Sequence, residues 1–317
     1  MRLILPLVFL PLTAHALDLG LPIDCTLGST CYIQQYPDRD PGPQARDFTC
    51  GPLVYDGHDG TDFALPSLAA MDQGVNVLAA APGIVRGMRD GMQDRVADDI
   101  TSPDIAGREC GNGVVIDHEG GWQTQYCHMK QGSLAVKSGD RVEQSTALGQ
   151  VGLSGAAQFP HVEFLVRKDG AGIDPFDPDD TLTCGQTAPA LWKNPVAYQP
   201  GGLIAAGYAD HLPTFDEVKA GLETPPLMPQ DAPALVAWVY LFGAQAGDQV
   251  HYTEKTAEGD LIMDFFPLEK TQAAAFRAFG KKRSRDAWPP GVYQTTFTHK
   301  RGDLILGTMT ATVTVAP

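Results

Sequence analysis

Three short patches of the 317-residue chain carry the side chains that most often bind metals or move protons. They are His58-Asp59-Gly60-Thr61-Asp62, Tyr126-Cys127-His128-Met129 and Pro160-His161-Val162-Glu163-Phe164. His161 and Glu163 are two residues apart, so on a β-strand both side chains leave the same face. His58 and Asp62 are four apart with a glycine between them, which suits a loop that enters a strand and lets both side chains point at one ion.

This set of residues predicts a catalytic zinc site. Such a site takes three protein ligands and keeps one position open for water, whose pKa then falls to about 7. His58, Asp62 and Glu163 are the candidate ligands. His128 and His161 then lie beside the water, where imidazoles can take its proton and stabilise the oxyanion of a tetrahedral intermediate.

The elements that must position these side chains are predicted to be strands. Between residues 47 and 183 the chain is rich in glycine and in β-forming runs, at 75–80, 83–88, 113–117, 122–128, 147–153 and 161–167. Turn signals separate the runs, so we expect a mostly antiparallel sheet. Residues 89–109 form an acidic insertion without apolar periodicity, which predicts a surface loop beside the groove.

The remainder of the chain predicts a second domain. Prolines recur through residues 185–232, with one short helical stretch at 215–222, which is typical of a linker. Beyond it, short strands are predicted at 235–242, 249–254, 261–266, 292–300 and 304–315. We therefore expect a small immunoglobulin-like β-sandwich over residues 233–317, after a catalytic domain over 17–184.

The stretch from about residue 57 to 166 resembles the lysostaphin and LytM type of zinc metalloendopeptidase, which cuts peptide crosslinks of peptidoglycan. The residues that carry the resemblance are His58-x-Gly60-Thr61-Asp62, Val77-x-Ala79-Ala80-x-x-Gly83-x-Val85, Gly113-Val114-Val115-Ile116, Tyr126-x-His128, Gly149-x-Val151-Gly152 and Pro160-His161. The resemblance implies a mainly β, antiparallel LytM-like catalytic domain of the duplicated hybrid motif type.

The resemblance also assigns roles to the site residues. It implies that His58 and Asp62 bind zinc and that His128 is catalytic, although Met129 stands where the family has leucine. The family's third patch is His-x-His, whose first member is catalytic and whose second is a ligand. This chain has His161 and then Glu163, and a carboxylate can bind zinc at nearly the same bond length as imidazole.

Two functions follow from this resemblance. The first is an exported zinc metalloendopeptidase that hydrolyses peptide bonds in peptidoglycan. The alternative is a degenerate, metal-free LytM-like module that binds cell wall or activates a separate wall-remodelling hydrolase. A metal assay on the purified protein distinguishes the two.

Cysteines and the N-terminus indicate where the protein works. Residues 1–16 combine one basic residue, an apolar run and a small-x-small ending, which predicts a cleaved signal peptide and a periplasmic or secreted protein. No later segment is apolar for long enough to span a membrane. Six cysteines without C-x-x-C spacing favour disulfides over a zinc–thiolate site. Hairpin positions and elimination predict the pairs Cys25–Cys31, Cys110–Cys127 and Cys50–Cys184.

The net charge of the chain argues against nucleic acid as a partner. With 38 acidic and 23 basic residues, the formal charge is −15. A polyanion is therefore not bound through the overall charge of this protein.

Overall fold

The computed structural model describes residues 17–97, 104–180, 183–185, 189–284 and 286–317. The predicted signal peptide, residues 1–16, lies outside these ranges and stays a prediction, as does the middle of the acidic insertion, residues 98–103. No helix in the described part of the chain is long and apolar enough to cross a membrane.

In its described residues the first unit contains ten strands, one short α-helix and one 3-10 helix at Glu119–Gly121. The strands and the α-helix are β1 Tyr32–Gln35, β2 Thr61–Ala64, α1 Leu68–Gln73, β3 Asn76–Leu78, β4 Gly83–Arg89, β5 Asn112–Asp117, β6 Trp122–Met129, β7 Arg141–Val142, β8 Ala147–Gln150, β9 His161–Lys168 and β10 Ala171–Ile173. Eight strands form one sheet in the order β1-β2-β9-β6-β5-β4-β7, and β10 also pairs with β9. All pairings in this sheet are antiparallel, which confirms the predicted class.

The core of the first unit lies against the face of this sheet that points away from the predicted site. Fully buried Phe63, Tyr126 and Phe164 come from β2, β6 and β9. The Tyr126 hydroxyl accepts a hydrogen bond from the backbone N–H of Ala80 at 2.7 Å, so the buried phenol also holds the loop before β4. Trp192 packs on Phe164 and joins the same core, although it follows the predicted end of the catalytic domain.

The second unit is a seven-stranded β-sandwich with one short helix. Its elements are β11 Gly202–Ala209, α2 Phe215–Ala220, β12 Ala234–Ala244, β13 Gln249–Lys255, β14 Leu261–Pro267, β15 Gln272–Lys282, β16 Gly291–Arg301 and β17 Leu304–Val315. One sheet has the order β11-β12-β15 and the other β14-β13-β16-β17. The fourth strand of the sandwich therefore pairs with the third, whereas immunoglobulin constant domains pair it with the fifth.

The region predicted as a linker, residues 185–232, differs from that prediction. Strand β11 lies inside it and pairs with β12 from Gly202 to Ala209. The segment is rich in glycine and alanine, which carry little β-propensity, so its strand is stabilised by pairing and packing rather than by local preference. Strand β15 was likewise not predicted.

All three predicted disulfides are present: Cys25–Cys31, Cys50–Cys184 and Cys110–Cys127. The second joins residues 134 positions apart in the sequence. It therefore ties the loop that precedes the site to the chain that leaves the first sheet.

The two units contact each other through packed side chains. The rings of Tyr32 in β1 and Phe242 in β12 lie 4.6 Å apart between centroids. The C-terminal end of α2 meets the start of α1 so closely that a Cβ on Gly221 would lie 2.7 Å from the Cβ of Ala69. Only glycine fits at this contact, since Gly221 also has a φ of +105°.

Candidate metal centre

Asp62 and Glu163 lie directly opposite each other on adjacent strands. Strand β2 pairs with β9 so that Asp62 and Glu163 are Cα partners. Two carboxylates in this relation repel each other unless positive charge lies between or beside them. The register of two strands, fixed by their buried neighbours, therefore creates a place for a cation or for protonated histidines.

His58 completes a group of three donors. Its Nδ1–H donates to the backbone carbonyl of Tyr36 at 2.9 Å, which leaves Nε2 to face the carboxylates. Nε2 lies 3.2 Å from Asp62 Oδ1 and 3.5 Å from Glu163 Oε1. The His58 side chain is 1% exposed and that of Glu163 is 14% exposed, so the group is nearly buried at the base of an open groove.

This donor set fits a zinc ion. Zn–N and Zn–O bonds of about 2.0–2.2 Å place neighbouring donor atoms of a tetrahedral site about 3.3–3.6 Å apart. The two separations measured from His58 Nε2 are of this size, and the three donor atoms all lie within 4.8 Å of one another. The convergence of His58, Asp62 and Glu163 is as the sequence predicts, and their role as ligands stays a prediction.

Gly60 leaves the space that the Glu163 side chain occupies. A Cβ on Gly60 would lie 2.6 Å from Glu163 Cγ and 3.1 Å from Oε1. Any larger residue would displace the carboxylate. The glycine between His58 and Asp62 therefore positions the third donor, a role that its place in the motif did not reveal.

His128 and His161 flank the donor group, as predicted. Their ring centroids are 4.6 Å apart. His128 Nδ1–H donates to the carbonyl of Ser154 at 2.8 Å, and His161 Nδ1–H donates to the carbonyl of Phe159 at 2.7 Å. All three imidazoles thus have Nδ1 fixed on a backbone oxygen and present Nε2 to the site, which is the arrangement that orients metal ligands and proton-transfer groups.

The backbone at His128 is held in an unusual conformation. Its φ is 61°, a left-handed value that non-glycine residues seldom adopt. The backbone N–H of His128 donates to the carbonyl of Cys110 at 2.8 Å, and Cys127 is bonded to Cys110. The disulfide therefore lies directly behind His128 and restrains the turn that aims its ring into the groove.

The surroundings of His58 and His161 shift the pKa values of the two rings in opposite directions. Burial opposes a charge on His58, but the carboxylates of Asp62 and Glu163 outweigh it and raise its pKa to about 9. Burial lowers the pKa of His161 to about 4, and the neighbouring His128 adds to this. Burial likewise acts to raise the pKa of Glu163, but the hydrogen bond with His128 leaves it lowered.

The groove around the donors has a volume of about 370 Å³. Tyr55 covers one side of it, with its ring 4.7 Å from that of His58. Glu109, at the end of the acidic insertion, lines another wall, so this end of the insertion lies beside the groove. Arg167 also lines the groove, and its guanidinium reaches Gln125 at 2.8 Å. Sequence patterns gave no signal for Tyr55 or Arg167.

Comparison with known proteins places this site within a recognised domain. Residues 56–175 match the model described as Peptidase family M23, which confirms the predicted resemblance of this stretch. No curated protein sequence matches the chain.

Solved structures show similarity over about half of the chain. A chain of the SpoIIIAH–SpoIIQ complex is 18% identical and aligns over 50% of this chain and 97% of its own, with a TM-score of 0.35. A zinc-containing peptidase from Vibrio cholerae is 23% identical and aligns over 50% of this chain and 39% of its own, with a TM-score of 0.34. The catalytic domain of EnpA, a prophage-encoded M23 protein from Enterococcus faecalis, is 24% identical. It aligns over 54% of this chain and 99% of its own, with a TM-score of 0.32.

Proposed function

We propose that this protein is an exported zinc metalloendopeptidase that hydrolyses peptide bonds in peptidoglycan crosslinks. The observation that carries the proposal is the donor group itself, in which His58 Nε2 lies 3.2 Å from Asp62 Oδ1 and 3.5 Å from Glu163 Oε1. The match of residues 56–175 to a peptidase family supports the reaction class. Three disulfides fit the oxidising periplasm or the outside of the cell.

The residues of the chain divide the work of the reaction. A zinc ion held by His58, Asp62 and Glu163 would supply a Lewis acid for the peptide carbonyl and activate water as the nucleophile. His161 has Nδ1–H fixed on a carbonyl, so its Nε2 carries a lone pair and serves as the proton acceptor. His128 Nε2 lies 3.3 Å from Glu163 Oε2. Burial acts to lower the pKa of His128, but the hydrogen bond with Glu163 leaves it raised, which favours the imidazolium form. In that form both ring nitrogens carry a proton, and the Nε2–H donates to the carboxylate or to a developing oxyanion.

One observation favours the alternative, a metal-free module that binds cell wall or activates another hydrolase. The carboxylates of Asp62 and Glu163 already have histidine partners: His58 lies beside both, and His128 lies beside Glu163. With the pKa of His58 raised to about 9, its positive charge can offset the carboxylate charge without an ion. The partner would then be peptidoglycan or a wall-remodelling protein.

Two measurements decide between these functions. The first is zinc stoichiometry after reconstitution, for the wild type and for Glu163→Ala. The second is digestion of purified sacculi with and without chelator, with the released muropeptides identified by mass. The proposal requires one zinc per chain and chelator-sensitive release by the wild type, and loss of both in the variant. A wild type without zinc and inactive at every pH would overturn the proposed enzyme.

A further inference from the structure

A second cavity lies beside the active-site groove, at the contact between the two units. Its volume is about 320 Å³. The first unit supplies mostly apolar walls, including Leu65, Pro66 and Leu68. The second unit supplies Asp216 and Lys219 from α2 and Tyr240 from β12. The cavity is therefore formed only when both units are in place.

The second cavity continues the groove. Gln158 and Phe159 line both spaces. The Phe159 ring stacks on His161 with centroids 4.3 Å apart and an interplanar angle of 25°. The Phe159 ring thus contacts His161 and also lines the second cavity. A peptide that lies across His161 and runs past Phe159 enters this space next.

The walls of the second cavity are held in place by tight packing. Gly221, which follows α2, lies against Ala69 and Ser67 of the first unit. The ring of Phe215 packs edge-to-face against that of Tyr240, with centroids 5.5 Å apart, so α2 is also fixed to the sandwich. Binding sites that are preformed in this way lose less free energy to ordering when a ligand enters.

Charge indicates which part of a ligand the cavity accepts. The groove is acidic, with Asp59 and Glu109 in its walls in addition to the donor carboxylates. Among the described residues that line the two spaces, the lysine and arginine side chains are Arg167 in the groove and Lys219 in the second cavity. Lys219 Nζ lies 2.8 Å from Asp216 Oδ1, and the Asp216 side chain is 91% exposed. Because such an exposed ion pair is weak, a carboxylate of the ligand can bind Lys219 beside Asp216 or take its place.

We propose that the cavity between the two units binds the substrate peptide on the Phe159 side of the cleaved bond. Its apolar walls cover the peptide chain, and Lys219 pairs with a free carboxylate of that peptide. The inference rests on the proposed function, and it makes the C-terminal unit part of the enzyme's specificity.

The test uses the full chain and two synthetic crosslink peptides that differ in one group. One peptide has a free carboxylate beyond the cleaved bond, and the other has the amide. Lys219→Met should raise KM for the carboxylate peptide about tenfold, as expected for the loss of a charge-assisted hydrogen bond, with little change in kcat. The amide peptide should not respond. Lys270→Met, at an exposed lysine in a loop of the same unit, is the matched control and should leave both peptides unaffected.

A second variant tests the shape of the cavity. Val96 lies at its wall with 43% of its surface exposed, so Val96→Trp adds bulk without disturbing a core. It should raise KM for both peptides at least fivefold. Unchanged KM values in both Lys219→Met and Val96→Trp would overturn the inference while leaving the proposed function intact.

Direct binding separates failure of the inference from failure of the proposed function. Calorimetry with Glu163→Ala measures peptide affinity without turnover, and the double variant with Lys219→Met gives the contribution of Lys219. If binding depends on Lys219 although the wild type cleaves nothing, the cavity is a binding site of a non-enzyme. Absence of both binding and cleavage overturns both proposals.

Discussion

Gly60→Ala should disable the candidate metal centre without touching any ligand. In the structure, the added Cβ would lie 2.6 Å from Glu163 Cγ, whereas ordinary contacts begin near 3.4 Å. The Glu163 side chain must therefore move by about 0.8 Å, the difference between these two distances. Metal–ligand distances in proteins hold to within about 0.2 Å, so this displacement is about four times the tolerance.

The expected result is a 10- to 100-fold loss of zinc affinity, the range found when the residues that orient a ligand are changed. Zinc affinity is measured by competition with a chromophoric chelator, and circular dichroism checks that the variant is folded. Gly172→Ala is the matched control, since nothing lies within 4 Å of the Cβ it would add. It should bind zinc like the wild type.

A double-mutant cycle shows whether Gly60 acts through Glu163. Glu163→Ala is expected to lose stoichiometric zinc, so on this background the cycle compares the weak affinity that His58 and Asp62 retain at high zinc concentration. There is no carboxylate left to displace, so adding Gly60→Ala should not weaken this residual affinity further. Equal losses on both backgrounds would refute the reasoning, because the alanine would then be acting through the backbone. So would full zinc affinity in Gly60→Ala alone.

Three further changes have expected outcomes. Glu163→His should keep zinc and move the optimum of the pH–rate profile to lower pH, because one negative charge fewer beside the ion favours deprotonation of water there; an unchanged optimum would count against ligation by Glu163. Burial raises the pKa of Asp174 to about 7, so the folded protein binds an extra proton between about pH 4 and 7 and loses stability as pH rises through that window. Asp174→Asn should therefore have a higher Tm than the wild type above pH 7, by an amount worth at most about 4 kcal/mol, and the difference should vanish below about pH 4. Arg301 donates to both oxygens of buried Asp248, which keeps His299 at 3.0 Å as a second side-chain partner. Arg301→Met should therefore lower the free energy of unfolding by about 2 kcal/mol in urea titrations, and an unshifted midpoint would show that the pair is dispensable.

Sequence patterns predicted the part of the fold that surrounds the site. The strands with His128 and with His161 and Glu163 alternate apolar and functional residues, and this alternation follows directly from a sheet with one face in the core. The same logic predicted most strands of the sandwich. Strand β15 was missed because its sequence, Gln-Ala-Ala-Ala-Phe-Arg-Ala-Phe-Gly-Lys-Lys, has low local β-propensity and is stabilised by ten paired positions along β12.

Sequence patterns indicated the candidate ligands of the site but not the residues that surround and position them. Each of the histidine–carboxylate patterns can arise by chance when taken alone, and their joint order along the chain, with the resemblance to a known family, is what indicated a site. Tyr55, Arg167 and Lys219 belong to residue types that are common on every surface and have no such pattern. Their proximity to the groove depends on how loops and two units pack, which short-range patterns do not contain. Gly60 was visible as part of a motif, but its contact with Glu163 arises from the register between β2 and β9.

The three imidazoles share a feature that bears on how this protein can change over time. Each Nδ1–H is held by a main-chain carbonyl, of Tyr36, Ser154 or Phe159. A point mutation replaces a side chain but cannot delete a carbonyl, so the tautomers of all three rings survive most substitutions at the residues that hold them. The side chain at position 163 can therefore be replaced without altering the main-chain hydrogen bonds that orient the three rings.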